Sequence, residues 1–179
     1  MPSTYTVLFV TRNKDNKHVD NFKESRKSFL SDKSVNELMS EFNDFCEQHP
    51  YQTCRFYRSV NSRDDAKVKK SVMHYLLDND CPTWKLPHVV TRLANRPENR
   101  KSKHFLVDVD FKMTKEQQFE MMEDLTAVAN VLSVKETPNG MHFVTESGFY
   151  YKPLVEKWSA FGKVEMKNDD MLLVEYRQQ

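Results

Sequence analysis

Two aspartates one residue apart in an otherwise apolar run stand out chemically: Phe105-Leu106-Val107-Asp108-Val109-Asp110-Phe111. In an extended strand, alternation sends Phe105, Val107, Val109 and Phe111 toward a core and Asp108 and Asp110 to the opposite face, roughly 7 Å apart. Like charges at that spacing repel each other unless a cation bridges them. A divalent ion with oxygen ligands is a natural occupant, because Mg²⁺ takes one or two carboxylates and completes its shell with phosphate oxygens. Lysines on a solvated sheet face are the other means of balancing the charge. The second reactive group is His142, in Asn139-Gly140-Met141-His142-Phe143-Val144. There Met141 and Phe143 alternate toward the core and leave His142 on the polar side.

Hydrophobic periodicity indicates the elements that must position these groups. Residues 4–12, TYTVLFVTR, alternate and predict a strand, whereas 13–33 are polar and charged and read as a loop or loose helix. Ser34 and Glu37 form a capping box ahead of Val35, Leu38, Met39, Phe42, Phe45 and Cys46, predicting a helix over 34–48. A strand over 53–61 follows, then a helix in RDDAKVKKSVMHYLLDND with Val68, Val72 and Leu76 inward. Pro82, Pro87, Pro97 and a basic run over 96–103 mark a connecting segment with a short helix near 88–95.

The second half opens on the aspartate strand (103–111). Thr114 and Gln117 form another capping box for a helix near 114–130, with Phe119, Met122, Leu125, Val128, Ala129 and Leu132 along its apolar side. Strands over 131–136 and 141–146 flank Thr137-Pro138-Asn139-Gly140, a hairpin signal. A helix near 152–159 and strands near 163–168 and 171–177 complete the chain. The order is β-α-β-β-α-β with a final strand, the split βαβ pattern. The fold class expected is therefore α+β (mixed α/β) with a mainly antiparallel sheet. A strand–helix lobe and basic connector would occupy 1–103 and an acidic module 104–179, together forming one two-lobed domain.

That topology brings the reactive groups together. The third strand of a split βαβ sheet runs antiparallel beside the first, so His142, early on one, should meet Asp108 and Asp110, late on the other. The fourth strand flanks the first on its other side and nominates Glu165 as a third acid. If the terminal strand took that slot, Asp169, Asp170 or Glu175 would replace it.

A strand carrying D-x-D, a helix, and then T-P-N-G-M-H at a hairpin resembles the archaeo-eukaryotic primase (primase-polymerase) superfamily, as a minimal or reduced member. The resemblance implies an RRM-like catalytic module behind an N-terminal α/β unit. It also implies two-metal nucleotidyl transfer from a nucleoside triphosphate to a 3′-hydroxyl on a nucleic-acid template. Asp108 and Asp110 would hold Mg²⁺ or Mn²⁺, Thr137 through His142 would form the second motif, and His142 would contact the nucleotide phosphates. Arg58, Asn61 and Arg63, with Lys135, Thr137, Asn139 and the 96–103 basic run, are the matching nucleotide and nucleic-acid contacts. Replication proteins follow as further partners. Two other classes use the same residues: a catalytically inactive nucleotide- or nucleic-acid-binding module, and a metal-dependent phosphodiesterase or nuclease with His142 as general acid or base.

Composition narrows the field. Among the 179 residues are three glycines, Gly140, Gly148 and Gly162, which excludes Gly-rich phosphate loops of the dinucleotide or P-loop kind. Three cysteines without a C-x-x-C pair argue against a disulfide framework and for a reducing cytoplasm. No apolar run approaches the ~18 residues of a membrane span, and the polar opening residues lack a signal-peptide layout. Residues 1–103 hold 19 Lys+Arg against 13 Asp+Glu, and residues 104–179 hold 8 against 13, an asymmetry suited to a polyanion beside a metal site. Trp84 and Trp158 read as packing residues, and Cys46 as a buried, inert thiol.

Overall fold

The computed structural model describes residues 3–178, which form five α-helices and eight strands in two antiparallel sheets, an α+β architecture. In chain order these are β1 (Tyr5–Thr11), β2 (Ser25–Ser31), α1 (Val35–Glu47), β3 (Cys54–Ser59), α2 (Asp65–Asp78), α3 (Leu86–Ala94), β4 (His104–Val109), α4 (Lys115–Thr126), β5 (Val131–Glu136), β6 (Met141–Glu146), α5 (Lys152–Ser159), β7 (Val164–Lys167) and β8 (Met171–Arg177). The chain divides into two compact units. One runs to Ser102 and takes in the chain from Leu173 onward; the other is Lys103–Leu172. The terminal strand, expected with the acidic half, thus belongs to the sheet of the first unit, ordered β2-β1-β3-β8.

In the first unit the Ser34–Glu37 capping box forms as the spacing predicts and starts α1. Its apolar stripe, Leu38, Phe42, Phe45 and Cys46, covers Val7 and Phe9 of β1 and Cys54 and Phe56 of β3. Phe56 is fully buried in this core against the ring of Phe9, 5.1 Å away. Burial pushes the Cys54 thiol up to about 12, so neither it nor Cys46 beside it is a ready nucleophile.

The region expected to be a loop or loose helix holds β2, which pairs along its whole length with β1 from Thr11↔Ser25 to Tyr5↔Ser31. Its serines, Arg26 and Lys27 hide the strand period, yet charge is what an exposed sheet edge favours. On α2 only Val68 is buried, while Leu76 is 43% exposed. Trp84 is likewise outside the core, 76% exposed under the Lys85 ammonium.

The second unit has strand order β5-β6-β4-β7, with the first strand of its β-α-β-β-α-β series central between the third and fourth. Met121 and Leu125 of α4 and Leu154 and Trp158 of α5 pack on Val107, Val109, Met141, Phe143 and Val164. Asp124 of α4 ties the two helices by accepting hydrogen bonds from Trp158 Nε1 at 2.8 Å and Lys157 Nζ at 2.7 Å. The apolar side expected for α4 holds at Leu125 and Met122 but not at Phe119, 66% exposed, or at Val128, beyond the helix end and 48% exposed. Met121 lies about 200° round the helix from Phe119 and takes the core position instead.

The hairpin joins β5 to β6 through residues 137–140, but not through the positive φ angles of a two-residue Asn-Gly turn. Among the described residues positive φ occurs at Asn21, Tyr51 and Gly148, not at Asn139 or Gly140. Instead Thr137 N–H donates to the Gly140 carbonyl at 2.9 Å, and Gly140 N–H donates to Thr137 Oγ1 at 3.1 Å. Glycine is required at 140 because a Cβ there would collide with the carbonyl oxygens of Val109 and Phe111. Gly140→Ala is expected to lower stability by about 2–3 kcal/mol, as overpacking against backbone does. Asn139→Ala, at an exposed position, should leave the urea midpoint near that of the wild type.

Candidate functional site

The registers of the second sheet line up four of the residues singled out from the sequence. Lys135 of β5 is opposite His142 of β6, His142 is opposite Asp108 of β4, and Asp108 is opposite Glu165 of β7. The row Lys135–His142–Asp108–Glu165 therefore runs straight across the sheet, on the face turned away from α4 and α5. Of the convergence expected from topology, Asp108, His142 and Glu165 are side by side, and Lys135 extends their row. Beside them on the same face are Val144, Leu106 and Lys167. Leu106 and Val144 are buried, so this face is not the fully solvated surface that alternation alone implies.

Asp108 is the hub. Its Oδ1 lies 3.2 Å from His142 Nε2 and its Oδ2 lies 2.8 Å from Lys167 Nζ. A carboxylate can only accept, so Nε2 of His142 carries the hydrogen of that bond. The hydrogen bond from His142, with the Lys167 ammonium beside it, holds the Asp108 carboxyl well below the usual carboxylate range despite partial burial. Burial opposes the charge on Lys167, but Asp108 and Asp170 outweigh it and keep the ammonium above the usual lysine range. Lys167 Nζ also meets Asp170 Oδ2 at 2.9 Å and, more loosely, Glu165 Oε2 at 3.8 Å. Glu165 has a second cation, Lys163, at 3.0 Å. One ammonium thus sits among three carboxylates.

Asp110 departs from its expected place. β4 ends at Val109, and Asp110 lies beyond it, exposed, with its backbone N–H donating to the Lys163 carbonyl at 2.9 Å. It is not among the residues that meet Lys167; Asp170, in the turn between β7 and β8, is. Thr137 spends its hydroxyl on the turn, and Asn139 and Lys135 are exposed beside it.

Arg58, Asn61 and Arg63 belong to the first unit. The Arg58 guanidinium stacks on the Tyr5 ring at 4.4 Å. Asn61 and Arg63 are 0% and 2% exposed, so neither offers a solvent-facing contact to phosphate here. Their segment is fixed by its backbone: Arg63 N–H donates to Thr4 O at 2.7 Å and Lys101 N–H to Ser62 O at 2.8 Å. Arg55 is a structural cation, bonded twice to Asp15 at 2.7 Å.

The sequence reading missed Lys167 entirely and held Asp170 only as an acid of the wrong strand. The signal for Lys167 was present, since it lies two residues from Glu165 and period-2 alternation puts both on the Asp108 face. Among the described residues no three His, Cys, Asp or Glu side chains form a ready metal-holding group, and no helix is long and apolar enough to cross a membrane. No family model, curated protein or solved structure matches the chain.

Because the folded-state pKa of Asp108 is depressed, the stability it contributes is complete above about pH 3.9, the unfolded value, and is lost as pH falls from there toward the folded one. Asp108→Asn should lower stability at neutral pH by about 1.5–3 kcal/mol, the range for hydrogen bonds to charged groups. It should also flatten the acid limb of stability against pH, measured by urea unfolding from neutral to acid.

Proposed function

We propose that the protein is a nucleic-acid nucleotidyltransferase of primase-polymerase type, built on an RRM-like module. The observation that carries this reading is the transverse row Lys135–His142–Asp108–Glu165: an acid hub with a second acid on one side and a histidine and a lysine on the other. Asp108, Glu165 and Asp170 are hard oxygen donors of the kind Mg²⁺ or Mn²⁺ takes, gathered here round the Lys167 ammonium rather than as a ready metal-holding group. Asp108, with Glu165 and Asp170, would hold the metal, which supplies neutralisation of the triphosphate and activation of the attacking 3′-hydroxyl. His142 gives its Nε2 hydrogen to Asp108 and would contact nucleotide phosphates on the same face by turning that hydrogen to them. Lys135, exposed next to it, would meet the backbone of the template or primer.

A second reading, a nucleotide- or nucleic-acid-binding module without transfer, is favoured by the engagement of both Asp108 oxygens by protein donors. Primer extension on single-stranded template with Mg²⁺ or Mn²⁺ and mixed nucleoside triphosphates separates the two. The wild type is expected to extend the primer, and Asp108→Ala to lose roughly a hundredfold or more. His142→Ala should raise nucleotide KM more than it lowers kcat. No product, with triphosphate still bound, would replace the transferase reading by the binding one.

A further inference from the structure

We infer that Lys167 is a resident counter-ion of the site, which a divalent metal must displace before it can bind Asp108. This rests on the nucleotidyltransferase reading and deepens it. Asp108 has two oxygens; one accepts from His142 at 3.2 Å and the other from Lys167 at 2.8 Å. Each oxygen keeps a free lone pair, but a metal that binds Asp108 together with Glu165 and Asp170 takes the space of the donor lying among them. Lys167 is the one positioned among the acids, with Asp170 at 2.9 Å and Glu165 at 3.8 Å, where any cation entering the cluster meets its ammonium first. It is 31% exposed on a flexible stem, so it can swing out, whereas His142 is 11% exposed and held within β6. Without the lysine the cluster keeps three negative charges, and Lys163 still neutralises part of Glu165.

The lysine thus has two effects. It holds the carboxylates in place when no metal is present, offsetting their mutual repulsion, and it raises the metal concentration the site requires. Once displaced, its ammonium is a free donor at the edge of the site, available to the phosphates that arrive with the metal.

The test is Mn²⁺ binding followed by electron paramagnetic resonance, without nucleotide or turnover, on the wild type, Lys167→Met, Lys167→Arg and the double variant Asp108→Asn/Lys167→Met. Lys167→Met is expected to bind Mn²⁺ at least about tenfold more tightly than the wild type, as loss of a directly competing charge implies. Lys167→Arg, which keeps the charge, should stay near wild type, and the double variant should lose the gain. Lys167→Met binding no better than wild type, including no binding by either, would overturn the inference, as would a gain that survives in the double variant. Thermal melts establish that each variant is folded, and Lys167→Gln substitutes for Lys167→Met if the latter is not. Tight Mn²⁺ binding by Lys167→Met with no primer extension by the wild type would uphold the counter-ion and remove the transferase reading.

Discussion

One half-buried carboxylate sets the terms for the second unit. Asp108 is placed mid-sheet by Val107 and Val109, whose packing under α4 and α5 fixes which way it points. Once there, its charge must be compensated, because an unpaired anion so far out of water costs far more than a paired one. The compensation comes from both flanking strands, His142 on β6 and Lys167 on β7. The same interaction locks strand order, tautomer and local charge. A one-residue slip of either neighbour would carry its partner to the core face. Lys167 in turn holds Asp170, and so ties the turn after β7 to the centre of the sheet.

Gly140 makes a second demand on the same place. The hairpin that presents His142 passes so close to the end of β4 that no side chain fits between Gly140 and the Val109 carbonyl. The T-P-N-G segment is therefore a spacing device, with the Thr137 hydroxyl closing the turn and glycine letting the strands approach. In a chain with three glycines, one stands where the histidine strand meets the aspartate strand.

Much of the second unit was legible because its strands are short, apolar on one face and separated by clear helix starts. The Thr114–Gln117 box, the hairpin and the 152–159 helix all appear where their residues indicate. Register follows from topology, which is why the sequence pattern alone sets Asp108, His142 and Glu165 side by side. What stayed hidden has physical causes. β2 is an edge strand whose charges mask its period. The apolar residues of α2 and α4 lie on more than one side, so periodicity alone could not choose the buried one. Asp110 looked equivalent to Asp108 because alternation has no knowledge of where a strand ends. Lys167 carries no motif of its own, although the partner of a buried acid is as much a part of the site as the acid itself. The allegiance of β8 depends on which sheet edge it reaches, and no local pattern encodes that.

The most direct measurement is anomalous diffraction from crystals grown with Mn²⁺ and a non-hydrolysable nucleoside triphosphate. A manganese peak bonded to an Asp108 oxygen, with Lys167 turned away and the triphosphate against His142, is the result expected. Triphosphate bound elsewhere, or no manganese at Asp108 with the Lys167 pair intact, would contradict a nucleotidyl-transfer centre in this sheet.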